Sequence, residues 1–266
     1  MTLKFTILGC ASSGGVPRVG GNWGACDPSN PKNSRLRCSA LISKQSEKGA
    51  TNILIDTSTD CRQQLLAAGV GWLDGVLYTH DHADHTHGID ELRMISFNRQ
   101  AKVDVYHNAQ TGEALRRKFR YCFSSRPGSN YKPILNSHEI SPGGRIEIEG
   151  EGGIVAVKPF GQIHGDIESL GFRVGGLAYS TDVKAFPEES LQYFEDLDVW
   201  IIDALRYEPH PCHFNVEEAL DMIAKYKPKR AVLTHMHDLL DYDTLAAKLP
   251  GGVEPAFDGM VLETND

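Results

Sequence analysis

Three histidines and an aspartate lie within six residues of one another, directly after an apolar stretch of the chain. They are His80, His82, Asp84 and His85, and the preceding stretch Asp74–Tyr78 has the composition of a buried strand. Imidazoles and carboxylates at a strand end are costly to bury unless each has a polar partner. One divalent metal ion can partner several of them, and the i, i+2 pair His80 and His82 can reach the same ion. Asp84 and His85 suit a second ion beside it, so the segment predicts a metal site rather than a polar loop rich in histidine.

The spacing His-x-His-x-Asp-His resembles the signature of the metallo-β-lactamase superfamily. Members of that family take further ligands from a lone histidine, a bridging aspartate and a last histidine, each at the end of a later strand. The matching positions in this chain are His164, Asp182 and His235, and each follows a short apolar or β-prone run. The resemblance covers nearly the whole chain and implies an α/β fold, a four-layer αββα sandwich.

The N-terminal segment is similar to the phosphodiesterase branch of that family, which contains ribonuclease Z and the phosphoribosyl cyclic-phosphate phosphodiesterases. A predicted strand at residues 3–9 leads into a turn of small residues that contains Ser13. Consecutive amides in such a turn can bind an anion, which makes Ser13 a candidate substrate contact; an ordinary tight turn is the alternative. The branch also has a histidine before the last ligand, and His213 matches it. Asp203 follows an apolar run and is similar to the acidic residue that partners this histidine in ribonuclease Z.

The resemblance implies a site with two divalent ions, zinc or manganese, roughly 3.5–4 Å apart. The ligand sets that it implies are His80, His82 and His164 for one ion, Asp84, His85 and His235 for the other, and Asp182 as the bridge. A hydroxide between the ions, with its pKa lowered to about 7, is then the nucleophile. His213, oriented by Asp203, protonates the leaving alkoxide, and the implied reaction is hydrolysis of a phosphodiester.

Two features favour a small nucleotide-like or cyclic phosphate over a long nucleic acid as the partner. Ribonuclease Z carries its substrate-gripping arm between the lone histidine and the bridging aspartate, and here that interval is 182 − 164 = 18 residues, too short for an arm. The net charge of −8 also disfavours a polynucleotide. Ribonuclease Z-like RNA processing is one alternative, and a non-catalytic binding protein is another. A thioesterase or lactonase of the glyoxalase type would share the metal ligands but would not need His213 with Asp203.

Basic and aromatic residues alternate between residues 107 and 135, where a lid over the metal site is expected. Arg126 and Tyr131 are the candidate substrate contacts in this segment. Such side chains suit an anionic, base-bearing ligand. A solvated helix face with a packed aromatic side is the alternative.

Length, composition and residue spacing predict the number of domains, the compartment and the state of the cysteines. Metal ligands scattered from residue 80 to residue 235 must converge on one site, which favours a single domain over residues 1–266. The chain has no apolar run long enough to span a bilayer and does not start like a signal peptide, so a cytoplasmic protein without membrane contact is expected. Six cysteines without a Cys-x-x-Cys pair indicate reduced thiols. The sequence does not determine the oligomeric state, and it is compatible with a homodimer.

Some relatives of the cyclic-phosphate type hold a structural zinc in the loop that corresponds to residues 18–38. In this chain the loop has no closely spaced cysteines, since Cys26 and Cys38 are 38 − 26 = 12 residues apart, and His237 lies two residues beyond His235 instead of three. The departure from the pattern disfavours a structural zinc.

The elements that must position these residues alternate between strands and helices, as in α/β proteins. Strands are predicted near residues 3–9, 38–44, 52–56, 74–79, 101–106, 154–160, 170–181, 198–203, 229–235 and 259–263. Helices are predicted near residues 59–68, 88–98, 110–122, 187–195, 215–227 and 241–248. Asn215 and Asp241 are the predicted N-caps of the last two helices.

Overall fold

The computed structural model describes residues 2–265, which form two facing β-sheets with helices on their outer sides. The strands β1 to β14 of this part of the chain are, in order, Thr2–Gly9, Ser39–Ser46, Gly49–Ile55, Gly75–Leu77, Val103–His107, Leu135–Glu139, Ile146–Ile148, Val155–His164, Ile167–Val174, Leu177–Ser180, Val199–Asp203, Arg230–Thr234, Val253–Pro255 and Val261–Asn265. The α-helices α1 to α7 are Cys61–Ala68, Ala83–Thr86, Leu92–Arg99, Ala109–Lys118, Arg120–Phe123, Val216–Tyr226 and Tyr242–Ala246. Short 3₁₀ helices occupy Pro31–Asn33, Ile89–Glu91 and Glu188–Phe194.

The two sheets repeat the same pairing pattern. The first sheet has the order β14-β1-β2-β3-β4-β5-β6 and the second has the order β13-β12-β11-β10-β9-β8-β7. In the first sheet the strands from β14 to β3 pair antiparallel, and the strands from β3 to β6 pair parallel. In the second sheet the strands from β7 to β10 pair antiparallel, and the strands from β10 to β13 pair parallel. Parallel strands end at the same edge of a sheet, so the loops after them lie close together.

Apolar side chains fill the space between the sheets and behind them. Phe5 on β1 contacts Tyr179 on β10, with ring centroids 5.6 Å apart, and this contact joins the two sheets. On the outer side of the first sheet, Leu65 of α1, Leu92 of α3 and Leu115 of α4 belong to a second apolar cluster. Helix α6 packs through buried residues such as Ala219 and Ile223 against the second sheet. The result is the predicted four-layer αββα sandwich. No helix within residues 2–265 is long and apolar enough to cross a membrane.

Three predicted elements differ from the observed ones. The predicted strand 170–181 is two antiparallel strands, β9 and β10, because Gly175 with a φ of 56° turns the chain between them. The predicted helix 110–122 divides at Phe119, whose φ of −125° breaks the helix into α4 and α5. The predicted helix 187–195 is a 3₁₀ helix that follows Pro187.

The short elements β6, β7, β13 and α2 were not predicted, since three to five residues carry too little periodicity to be seen in a sequence. Strand β6, for example, buries only its first side chain, Leu135, and is recognisable by its pairing with β5. The predicted N-caps are confirmed. The side chain of Asn215 accepts from the backbone of Glu218 in a capping box, and the side chain of Asp241 accepts from the backbone N–H of Thr244.

The core around β11 gives a stability prediction. The side chain of Trp200 is fully buried, stacks on Phe194 at 4.4 Å between ring centroids, and donates to the hydroxyl of Ser180. Trp200→Ala is expected to lower the free energy of unfolding by about 3–5 kcal/mol, because it leaves a cavity and an unpaired hydroxyl. Denaturant unfolding of the variant measures this. The control is Trp72→Ala, at a tryptophan that is 45% exposed, for which a loss of about 1 kcal/mol is expected. Equal losses would contradict this account of the core.

Candidate metal centre

The polar residues singled out in the sequence converge at one edge of the two sheets. The first sheet supplies the motif loop, residues 79–85, which follows β4 and runs into α2. His82 is the N-cap of this short helix, and Asp84 and His85 lie on it. The second sheet supplies the other residues from successive strand ends: His164 ends β8, Asp182 follows β10, Asp203 ends β11 and His235 follows β12.

Two groups of three side chains bring their ligand atoms within 4.8 Å of one another. One group is His80, His82 and His164, and the other is Asp84, His85 and His235. These are the two sets that the family resemblance implies. His80, His85, His164 and His235 are buried, Asp84 is partly buried and His82 is exposed, so the centre is open to solvent on one side.

The carboxylate of Asp182 lies between the two groups. Its Oδ1 is 3.8 Å from Nε2 of His80 and 3.9 Å from Nε2 of His164, both in the first group. Its two oxygens are 3.3 and 3.2 Å from Nε2 of His235 and of His85, in the second group. This position is the one expected of a carboxylate that bridges two ions.

The spacing of these atoms fits metal ions better than hydrogen bonds. Nε2 of His80, of His85 and of His235 is buried without a hydrogen-bond partner within the described residues. Buried polar atoms without a partner are rare and need an explanation. Ligands at about 2.0–2.1 Å in a tetrahedral site lie about 3.3 Å apart. The Asp182 oxygens are 3.2 and 3.3 Å from Nε2 of His85 and of His235, close to that separation. The residues present therefore fit two divalent ions.

The other nitrogen of three imidazoles is held from behind. Nδ1 of His85 is 2.7 Å from Oδ2 of Asp56, and Nδ1 of His164 is 2.8 Å from the carbonyl oxygen of Cys212. Nδ1 of His80 is 3.0 Å from the hydroxyl of Thr79, which in turn donates to Asp56. With Nδ1 protonated and donating, Nε2 keeps its lone pair for a metal, as in most protein metal sites.

Asp56 is the important residue that the sequence reasoning missed. It follows β3, is fully buried, and accepts hydrogen bonds from His85 and from both the backbone N–H and the hydroxyl of Thr79. Burial raises the pKa of its carboxyl, and the bonds from His85 and Thr79 oppose this shift. Asp81 and Asp90, the neighbouring carboxylates in and after the motif, bind Lys118 and Arg93 instead. The signal for Asp56 was its place directly after an apolar strand.

Three residues of the centre have left-handed backbone conformations. Asp56, Asp182 and His235 have φ values of 61°, 53° and 58°, and each comes immediately or almost immediately after a strand. Such conformations cost on the order of 1–3 kcal/mol each for residues other than glycine and concentrate at functional sites. They turn the chain sharply where the strand ends, so that the side chain faces the centre.

The buried carboxylates of the centre need positive charge close to them. Burial lowers the pKa of His80 and of His164, so these imidazoles are neutral. Burial also acts to lower the pKa of His85 and of His235, but the Asp182 carboxylate and its neighbours outweigh it and raise both. The pKa of Asp182 is well below its usual range because these imidazoles outweigh the effect of burial. Either protons or metal ions can balance the negative charge of the ionised carboxylates, so protons and metal ions compete for the centre.

A histidine–aspartate pair borders the metal centre. Nδ1 of His213 is 2.7 Å from Oδ2 of Asp203, which also accepts from the backbone N–H of Val183. Burial acts to raise the pKa of the Asp203 carboxyl, but the imidazole of His213 outweighs it and lowers the pKa. The His213 ring stacks on that of His235 at 4.6 Å between centroids and lies 4.5 Å from that of His164. The pair is thus in contact with both groups of metal-binding side chains.

The three predicted substrate contacts lie on two openings near the centre. Ser13 lines a cavity of about 460 Å³ that is bordered by Asp84. Arg126 and Tyr131 line a separate cavity of about 370 Å³.

In the loop formed by residues 18–38, the thiol of Cys26 donates hydrogen bonds to the carbonyl oxygens of Asp238 and Leu240. The thiol thus ties this loop to the segment after His235.

Comparison with known proteins agrees with this geometry. The profile of a family described as "Beta-lactamase superfamily domain" matches residues 51–236. The crystal structure of a new diphosphatase from the PhnP family is similar to this chain, with 33% sequence identity and a TM-score of 0.87. The match covers 99% of this chain and 98% of the diphosphatase chain.

Two relatives are matched over part of their own length. An octanoyltransferase of Porphyromonas gingivalis is 33% identical over 261 residues, which are 97% of this chain and 51% of that protein. A ribonuclease Z of Bradyrhizobium sp. is 30% identical over 131 residues, which are 47% of this chain and 41% of that protein. The chain thus spans about half the length of these relatives or less.

The match over residues 51–236, the likeness to the diphosphatase along nearly the whole of both chains, and a His/Asp centre of the binuclear type agree with one another. The chain belongs to the metallo-β-lactamase superfamily.

Proposed function

We propose that this protein is a metal-dependent phosphodiesterase that hydrolyses a small nucleotide-like or cyclic phosphate. The observation that carries the proposal is the His213–Asp203 pair, which contacts the metal centre through His164 and His235. A metal centre alone serves many hydrolytic reactions. An oriented imidazole beside it supplies the proton that an alkoxide leaving group requires.

We propose the following roles for the residues of the centre. His80, His82 and His164 would hold one ion, Asp84, His85 and His235 would hold the other, and Asp182, which lies between the two groups, would serve both. Two bound divalent ions supply charge stabilisation to the phosphoryl oxygens and lower the pKa of a water molecule to about 7. Imidazole-rich sets suit zinc, and the carboxylates also admit manganese. Because these residues come from both sheets, the domain that carries the activity is proposed to be residues 1–266 as a whole.

His213 is proposed to hold the transferable proton. Its Nδ1 is bound to Asp203, so Nε2 is the atom that can donate to a substrate oxygen. Asp203 is fully buried, and its carboxylate holds Nδ1 of His213 and so orients the ring. The ring of His213 is almost buried, so the proton is protected from exchange with bulk water while the substrate covers the site.

The chain segment between His164 and Asp182 supports a small substrate. Strands β8 and β9 are joined by a turn of two residues, Gly165 and Asp166, and β10 follows directly after β9. The whole interval is used by this meander, which leaves no arm of the kind that grips RNA. The diphosphatase relative also acts, by its description, on a phosphate compound. In an ester of diphosphoric acid, the phosphorus atom that carries the ester group has two bridging oxygens, as in a phosphodiester. Such esters are therefore the second candidate substrate class.

The proposal is tested by assaying the metal-loaded protein against three compounds. They are bis-p-nitrophenyl phosphate, a dialkyl diphosphate and an octanoyl thioester, the last because one relative is an octanoyltransferase. Hydrolysis of the first or second compound, lost on chelation and restored by metal, supports the phosphodiesterase or the diphosphatase. Turnover of the thioester alone would favour the glyoxalase-type thioesterase.

The first prediction of this section concerns the metal content. Asp182→Ala is expected to lose more metal than any single histidine substitution, because a bridging carboxylate serves both ions. Elemental analysis of protein purified without chelator measures ions per chain, with two expected for the wild type. Asp221→Ala, which removes an exposed carboxylate on α6, is the matched control and should keep both ions. One ion or none in the metal-supplied wild type would contradict a binuclear centre.

The second prediction concerns proton donation. His213→Ala is expected to lower kcat by about 10²–10⁴-fold, the usual contribution of an oriented general acid, with unchanged metal content. The loss should be much smaller for nitrophenyl esters, because nitrophenolate leaves without a proton. Asp203→Asn should have a smaller effect, since it disturbs only the orientation and charge of the imidazole. Equal losses for good and poor leaving groups would remove His213 from this role.

The third prediction concerns Asp56. Asp56→Asn keeps the volume of the side chain but removes the charge behind His85 and Thr79. Outer partners of this kind usually contribute about 10–100-fold to metal affinity, and a loss of that size is expected in a competition titration with a chelator. Asp90→Asn, at an exposed aspartate that pairs with Arg93, is the control. An affinity equal to that of the control would mean that Asp56 serves only the fold.

A further inference from the structure

A short hairpin, residues 18–22, follows the turn that contains Ser13. The backbone N–H of Arg18 donates to the carbonyl oxygen of Asn22, and that of Gly21 donates to the carbonyl oxygen of Arg18, so Val19 lies at the tip. The side chain of Val19 is fully exposed, at 101%. We propose that Val19 and the cavity beside it hold an uncharged, apolar substituent of the substrate phosphate; this rests on the proposed function.

The tip of the hairpin and the metal centre border the same cavity. Val19 lines the cavity of about 460 Å³ that Ser13 and Asp84 also line. Oδ2 of Asp84 is 3.4 Å from Nε2 of His85 and 4.0 Å from Nε2 of His235, so one residue of the cavity wall belongs to the centre itself. A phosphate bound at the centre can therefore place its substituent in this cavity.

The charged residues that line the cavity are already compensated. Arg18 pairs with Asp238 at 3.0 Å, and Arg37 pairs with Asp60 at 3.0 Å. The remaining charged residue of the lining, Asp84, belongs to the metal centre. A charged substituent would lose its hydration without gaining a free countercharge, whereas an uncharged substituent has no such cost. The charge balance of the cavity thus favours an uncharged group.

Several lining residues offer small or apolar surface to that group. Gly14 and Ala83 have no polar side-chain atoms. The aliphatic part of Arg18 lies beside Gly14, since a Cβ placed on Gly14 would be 3.5 Å from Cγ of Arg18. Long basic side chains often cover apolar surface in this way while their charged ends are paired elsewhere. Together with Val19, these residues form a surface that suits an apolar substituent.

The base of the hairpin is fixed, and its tip has space around it. The guanidinium of Arg18 pairs with Asp238, a buried residue that lies three positions after His235. At the tip, Gly20 and Gly21 have φ values of 93° and 79°, and a Cβ added to either would meet nothing within 4 Å. A positive φ at the third position of a turn, where Gly20 lies, is typical of type II turns. The tip can therefore move onto a bound group while the base keeps its place beside the centre.

A single exposed apolar side chain is common on protein surfaces and does not by itself indicate a binding site. The turn does not require one either, since glycine, proline and short polar residues dominate turns. Val19 differs from other exposed apolar residues by its place on the cavity of the metal centre. Leu66 on α1 is also exposed, at 64%, but does not line this cavity, so it provides a matched control.

The test compares methylphosphonate with phenylphosphonate, which have the same acid group and differ in the apolar substituent. Their P–C bond is not hydrolysed, so calorimetry with the metal-loaded protein gives Kd whether or not the protein is a phosphodiesterase. For the wild type, the phenyl group is expected to lower Kd by about 10-fold, the effect of covering roughly one valine side chain. In Val19→Ser most of this gain should disappear, with Kd for methylphosphonate unchanged. Val19→Leu, which keeps an apolar side chain, and the control Leu66→Ser should both retain the gain.

Equal Kd values of the two phosphonates for the wild type, or a gain that persists in Val19→Ser, would overturn the role of Val19. A gain that is lost equally in Val19→Leu or in Leu66→Ser would overturn it as well, because the apolar contact at the tip would then not be its source. Assays with p-nitrophenyl methyl phosphate and p-nitrophenyl phenyl phosphate separate this proposal from the proposed function. If the phenyl gain depends on Val19 but neither ester is hydrolysed, the cavity is supported and the phosphodiesterase activity towards these esters fails. Hydrolysis of both esters without a phenyl gain in Kd would support the phosphodiesterase and overturn the cavity.

Discussion

The arrangement of the site depends on one buried carboxylate that needs positive charge around it. Asp182 is almost fully buried, and its two oxygens lie 3.2–3.9 Å from the Nε2 atoms of four histidines. An ionised group at this depth is tolerated only when it is compensated. Neutral imidazoles cannot compensate it, so its charge is balanced either by protons on His85 and His235, whose pKa values are raised, or by metal ions. The same requirement explains why these imidazoles present their Nε2 atoms inwards, and three of them, His80, His85 and His164, are held by hydrogen bonds at Nδ1.

The two sheets each contribute half of this arrangement. The first sheet brings the motif loop and Asp56, and the second brings His164, Asp182, Asp203 and His235 from consecutive strands. The centre is therefore assembled only when the apolar faces of the sheets pack on one another. The same packing stabilises the left-handed conformations at the strand ends, whose cost would otherwise favour a relaxed loop. Core stability and site geometry are linked for this reason, although Trp200 and the metal centre do not touch.

The sequence was most informative where residue type and spacing coincide. The motif at residues 80–85 was expected because polar residues after an apolar run are costly to bury unless they have a partner. The later positions and the pair of His213 with Asp203 were expected only from the resemblance to the metallo-β-lactamase superfamily. Asp56 gives the same kind of signal as Asp203, but one aspartate after one strand is common, and no spacing rule connected it with the motif. The carbonyl oxygen of Cys212 has no signal at all, since every residue has one.

The chemistry of the leaving group separates the reactions that this centre could serve. A thioester releases a thiolate, whose conjugate acid has a pKa of about 8.5, so it leaves without a proton donor. An alkoxide is far more basic and leaves readily only when an acid protonates it. A buried carboxylate such as that of Asp203 destabilises the fold unless a partner compensates it. A role in orienting His213 for proton delivery accounts for its presence. The His213–Asp203 pair therefore favours a substrate with an oxygen leaving group.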